Sequence, residues 1–220
     1  MRTCICSPCG ILGYGFPQES FRRALAEKPD AIVVDAGSTD AGPHKLGAGV
    51  AIVSRMAAKK DLRLLMQGAQ ELDIPLVIGS AGGSGARTHT EWTLSIIREV
   101  CAEMDWHPKT AVIWADISNE VILDAMAQGR IEKMSENVPD LTPETLNQTN
   151  GVVAQMGMEP VLDALDRAQI IICGRAYDPA PFAARTRCGA CLSPGQDSGM
   201  RCAMLRAGYH EGLHAGRFRR

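Results

Sequence analysis

Five short apolar runs, at residues 2–6, 31–35, 76–80, 111–116 and 170–174, constrain this chain more than any other feature. They are rich in β-branched residues and nearly continuous, not alternating, which is the pattern of strands buried on both faces of a parallel sheet. Helical periodicity fills the gaps between them. Residues 17–26 place Phe21 and Leu25 one turn apart, with Pro17 suited to a first turn. Residues 56–72 carry Leu62, Leu65, Met66, Ala69 and Leu72 on one face, and residues 91–104 carry Trp92, Ile96, Val100 and Met104. Further helices are predicted after Ser118, after Thr142-Pro143 and over 159–167. Strands alternating with helices imply an α/β fold: a doubly wound, mostly parallel, Rossmann-like sheet of about five strands with flanking helices. The pattern predicts one domain over 1–184. Residues 185–220 read as an irregular Arg- and Cys-rich tail, with no run apolar enough for a sixth buried strand.

Charge and composition exclude several classes of function. A net charge of −2 argues for neither a nucleic-acid nor a membrane-surface partner, although the tail sets seven Arg against Asp197 and Glu211. No run approaches the ~20 apolar residues of a membrane span, and no signal-peptide core precedes Pro8, so the expected location is cytoplasmic. The eight cysteines then read as reduced thiols.

Each apolar run is followed by a cluster of small and polar residues: "SPCGILGYGFP", "DAGSTDAGPHKLGAG", "SAGGSGARTHTEW", "ADISNE" and "GRAYDPAPF". In open parallel sheets, ligands bind beyond the carboxyl ends of the strands, and all five clusters fall on that rim. Gly82, Gly83 and Gly85 precede a helix whose first amides are unpaired, a combination that predicts an anion site. Ser80, Ser84 and Thr88 would add hydroxyls there, and Arg87 a charge. The alternative is a tight strand-to-helix turn with glycines for packing alone. The spacing matches neither a phosphate-binding P-loop nor a dinucleotide fingerprint. Asp35, Asp40, Asp116 and Asp178 sit at or past strand ends, where a carboxylate serves as a general base, a Mg²⁺ ligand or a turn cap; Asp35 is the best candidate for chemistry. His89 stands closer to the glycine loop than His44 does, and is the better candidate for acid–base work. Arg175 is suited to hold a carboxylate or phosphate, or to form a surface ion pair. Cys4 and Cys6 read as core residues. Cys188, Cys191 and Cys202, with His210 or His214, make an incomplete zinc knuckle, and no metal site is predicted.

Taken together, "SPCGILGYGFPQESFRRAL", "KPDAIVVDAGSTDAGPHKLGAG", "PLVIGSAGGSGARTHTEWTL" and "QMGMEPVLDAL…IIICGRAYDPAPFAA" resemble the acyclic terpene utilisation (AtuA-like) family from about Cys4 to Ala184. The resemblance implies a catabolic protein linked to bacterial breakdown of citronellol- and geraniol-type terpenes, whose intermediates travel as coenzyme A thioesters. It supplies no settled reaction. Beyond Ala184 the chain departs from the family, which continues with a further large segment, so a truncated or frameshifted fragment is expected.

Two readings follow. In the first, Ser80, Gly82, Gly83, Ser84, Gly85, Arg87 and Arg175 hold the anionic group of a small acid or acyl-CoA, while Asp35, His89 and Asp178 move a proton in a hydration or isomerisation. In the second, the chain is a non-catalytic subunit that completes its site with a partner or with a second copy. A zinc or nucleic-acid function for the tail ranks last.

Overall fold

A computed structural model describes residues 3–37, 42–133, 135–190 and 214–218, with backbone alone for 42–43, 186–190 and 214–218. Five parallel strands form the sheet: β1 (Thr3–Ser7), β2 (Ala31–Asp35), β3 (Leu76–Gly79), β4 (Thr110–Ile113) and β5 (Ile170–Cys173). A sixth, β6 (His214–Phe218), lies antiparallel on the outer edge of β1, giving the order β4-β5-β3-β2-β1-β6. The absence of an apolar run in the tail does not prevent this strand. An antiparallel edge strand is held by backbone hydrogen bonds and needs no burial on both faces.

The helices are α1 (Gln18–Ala26), α2 (Gly42–Ala48), α3 (Arg55–Leu72), α4 (Arg87–Met104), α5 (Asn119–Ala127), α6 (Pro143–Asn147), α7 (Glu159–Leu165) and α8 (Ala180–Ala190). The periodic segments became helices as expected. The sequence reading did not assign α2 and α8, and α8 runs across the boundary drawn at residue 184. Thr142 caps α6 by accepting from the Thr145 amide at 3.2 Å. Residues 129–133 and 135–142, polar in composition, run exposed between α5 and α6.

Alternate strand residues point to opposite layers, and each layer has its own core. Cys6, Ile32, Val34, Leu76, Ile78, Ile170 and Ile172 pack beneath α1, α3 and α4, whose Phe21, Leu62, Leu65, Met66, Ile96 and Val100 are buried. Ile5, Val33, Val77, Ile171 and Cys173 pack on the other side against Met158, Val161 and Ala164 at α7, and Ala180, Ala183 and Ala184 of α8. The fold is therefore doubly wound.

The strand order explains why there are two layers. From β1 to β2 to β3 to β4 the chain always steps the same way, so right-handed crossovers put α1, α3 and α4 on one face. The step from β4 back to β5 reverses direction, and α7 accordingly lies on the other face. Adjacent strands β3 and β5 send their following helices, α4 and α8, to opposite faces. The space between their carboxyl ends is the topological switch point, where this architecture opens a crevice.

Candidate functional site

Backbone hydrogen bonds stitch the loops together past the strand ends. Leu12 N donates to Asp35 O, Ala36 N to Gly79 O, Ala81 N to Cys173 O and Gly174 N to Ile113 O, all within 2.7–2.9 Å. The five loops thus share one rim, as the sequence pattern predicts.

At the end of β2, Asp35 Oδ1 accepts from the Gly37 amide at 3.0 Å, an Asx-type turn that bends the chain across the rim. The carboxyl lies against Gly79 of β3, where a Cβ would stand 3.3 Å from Oδ1. Burial pushes the Asp35 carboxyl up to about 7. The Gly37 amide pulls it down, the Asp178 carboxylate raises it, and the Arg175 guanidinium lowers it. At neutral pH, Asp35 therefore populates both protonation states, as a proton carrier must.

Ser80 ends β3 in the left-handed region, φ 46°, fully buried. Such a backbone costs a non-glycine residue on the order of 1 kcal/mol and persists only where its surroundings hold it. Here the hydroxyl does the holding. Ser80 Oγ accepts from Ala176 N at 3.1 Å, donates to Ala176 O at 3.2 Å, and receives Arg175 Nη1 at 3.5 Å. The loop after β5 is thereby locked to the end of β3. Gly37 closes over the pair: a Cβ there would meet Ser80 Cβ at 2.5 Å and Arg175 Nη1 at 3.1 Å. Arg175, with 12% of its side chain exposed, has Asp178 Oδ1 3.8 Å from Nη2, and Asp178 is more than half exposed. Thus Asp35, Ser80, Arg175 and Asp178, drawn from three loops, meet at the switch point.

The glycine loop sits beside them, but its surfaces are occupied. Residues 81–86 are all buried. Gly82, Gly83 and Gly85 take positive φ as expected, yet protein fills the space beside each. A Cβ would meet His89 Cβ at 2.8 Å, Ile52 Cγ2 at 2.7 Å and Arg175 N at 2.1 Å respectively. Gly85 O accepts from Arg175 N, which joins this loop to the crevice. Ser84 is buried within the loop. The first amide of α4, at Arg87, donates to Asp116 Oδ1 at 3.0 Å, so an internal carboxylate already sits at that positive helix end. The Arg87 side chain is exposed and stacks on Trp114 at 4.2 Å, with Glu91 3.9 Å away. His89 is buried. Its Nε2 is 3.1 Å from Val50 O, its Nδ1 is 3.3 Å from Thr88 Oγ1, and its Cβ and backbone lie against Gly82. His44 is exposed on α2, and Asp40 lies outside the described residues. So do the side chains of Cys188, Cys191, Cys202, His210 and His214.

Two features escaped sequence reasoning. Asp61 on α3 is buried and accepts from Gly13 N at 2.8 Å and Gly15 N at 3.0 Å, which shapes the loop after β1. Its signal was available, as a carboxylate on an otherwise apolar helix stripe. Cys9 and Cys173 flank Asp35; burial pushes both thiols up to about 12, so they stay neutral beside it. Cys6, Cys9, Cys101 and Cys173 are free thiols. Among the described residues, no cluster of three or more His, Cys, Asp or Glu is arranged to hold a metal ion.

The family model of the acyclic terpene utilisation family protein AtuA matches residues 55–187, which span the loops after β3, β4 and β5. This chain belongs to the AtuA family. Comparison with curated proteins and with solved structures finds no match. Family membership links the chain to acyclic terpene utilisation. Among the described residues, no helix is long and apolar enough to cross a membrane.

Proposed function

We propose that this AtuA-family protein binds a small carboxylic acid, or its coenzyme A thioester, at the β3–β5 switch point and moves a proton on it. The observation that carries the reading is Asp35, a half-buried, desolvated carboxyl poised near neutrality beside the guanidinium of Arg175. Arg175 holds the anionic group by charge-assisted hydrogen bonds. Asp35 takes or returns a proton α or γ to the carbonyl, as a cytoplasmic hydratase or isomerase of acyclic acids requires. Ser80 fixes the β5 loop and receives the guanidinium, which orients it. The glycine loop supports this machinery from behind, since Gly85 O anchors the Arg175 amide.

A thermal-shift screen against branched free acids, their coenzyme A thioesters and Mg²⁺ tests the reading, because a ligand specific for the folded state raises Tm by mass action. A shift that is lost in Arg175→Gln supports it. An equal shift in that variant, or none with any acid or thioester, would overturn it.

One observation favours a second reading, a subunit that works in an assembly. β4 is the least buried parallel strand, and its open side borders a groove of about 470 Å³ lined by Leu94, Ile97, Cys101, Trp106 and Val112. Its strand residues Thr110–Ile113 carry neither charge nor Pro to discourage pairing. Light scattering checks this: Val112→Lys should dissolve any assembly built on that edge, and a wild type monomeric at all concentrations rules it out.

A further inference from the structure

The crevice sets two carboxylates against one guanidinium. Asp178 Oδ1 lies 3.8 Å from Arg175 Nη2, and both groups act on Asp35, whose other neighbours are the Gly37 and Ala36 amides and the thiols of Cys9 and Cys173. With both carboxylates ionised the cluster carries one net negative charge. A second anion on Arg175 would bring it to two beside a guanidinium that is only 12% exposed and a desolvated Asp35 carboxyl, where like charges are poorly screened. A proton on Asp35 removes that excess. The cluster then carries the same net charge with ligand bound as it does empty and fully ionised.

We propose that an anionic ligand occupies Arg175 together with a proton on Asp35, so that the crevice takes up a carboxylic acid as anion plus proton. The inference rests on the reading of Arg175 as the ligand's anchor. It also names the substrate class, since a monoanionic carboxylate meets this balance and a phosphate dianion does not. Asp35 alone supplies the proton, because the thiols of Cys9 and Cys173, at about 12, remain protonated across the useful pH range. Asp178 is the internal competitor. At 3.8 Å from Nη2 and more than half exposed, it can swing into solvent and leave the guanidinium to the ligand. The bound acid then lies beside the proton that Asp35 holds, as α- or γ-protonation needs.

Calorimetric titration of the full chain with 3-methylbut-2-enoate, a small branched carboxylate, tests this. Its own carboxyl is ionised throughout pH 6–9. At pH 8 the measured heat should differ between triethanolamine and Tris, two cationic buffers of different ionisation heat, by the amount that corresponds to uptake of about one proton. Affinity should be flat on the acid side of neutrality and fall about tenfold per pH unit on the alkaline side. Asp35→Asn should bind with no proton uptake and no pH dependence. Asp178→Asn should bind more tightly, with the alkaline fall beginning at lower pH. Inorganic phosphate at pH 8 should bind at least tenfold more weakly than the carboxylate. Binding of the carboxylate without proton uptake overturns the inference and leaves the anchor reading standing. No binding at any pH, with none by the corresponding coenzyme A thioester, overturns both.

Discussion

The loop after β3 and the loop after β5 lie against each other and differ in what they leave open. Residues 80–86 contain three glycines with positive φ, the pattern usually associated with a phosphate cradle, yet His89, Ile52 and the Arg175 backbone occupy the space beside them. Residues 174–178 contain a single glycine, yet they present a guanidinium with only partial pairing beside a desolvated carboxyl. A glycine records that something approaches the backbone closely and does not say what. Here the answer is the protein itself. A charged group near a second one out of water identifies chemistry better than backbone freedom does.

Breaking the contact between the two loops should have the largest effect. Gly85→Ala places a Cβ 2.1 Å from Arg175 N at φ +69°, and no flexible side chain is there to yield. Denaturant titration should show a loss of at least about 5 kcal/mol, or no folded protein. A loss under about 1 kcal/mol would mean that the loops are not in contact.

The next effect sets the electrostatics of the second loop apart from the packing of the first. The Asp35 carboxyl sits above its unfolded value, so the folded state binds more protons than the unfolded state between about pH 4 and pH 7. The stability this group contributes is therefore full below about pH 4 and is lost as pH rises through about 7. Asp35→Asn keeps an acceptor for Gly37 and cannot ionise. Between pH 4 and pH 8 its stability should gain on wild type by on the order of 4 kcal/mol. A constant difference across that range would place Asp35 in water.

Ser80→Ala leaves the Ala176 amide without its hydroxyl partner and keeps the left-handed backbone. A loss of about 2 kcal/mol is expected, together with weaker acid binding as Arg175 loses its guide. If stability falls while affinity holds, Ser80 is only a brace. Asp116→Ala should cost least, about 1 kcal/mol, as the first α4 amide loses its carboxylate. It should leave acid binding unchanged. A gain in anion affinity would instead show that Asp116 masks a working site at the glycine loop.

The strand runs and most helices were legible because burial on both faces forces an apolar run and burial on one face forces a period. The segment 31–35 became β2 without adjustment, and 56–72 became α3 with one residue added. Short α2 and α8 were not read. Neither offers a clear apolar stripe, and α8 covers the sheet with alanines, whose periodicity is faint. The convergence of loops on one rim follows from parallel topology, so it could be read before any coordinates. The internal uses of the glycine loop could not. Contacts such as Gly83 on Ile52 depend on where the segment after α2 folds back, and no local pattern encodes that. For the same reason, His89 was legible as a histidine near the loop but not as one held by Val50 O.

The insertion of β5 between β3 and β4 has a consequence for biosynthesis. Of the five parallel strands, the one made last is interior, with β3 on one side and β4 on the other. Until residues 170–173 leave the ribosome, β1–β3 and β4 are separate pieces, each with an open edge that invites pairing with another chain. A nascent chain stalled before that point should need a chaperone to stay out of aggregates. The same few residues that complete the parallel part of the sheet are followed closely by Arg175, so core closure and assembly of the crevice come as one late event.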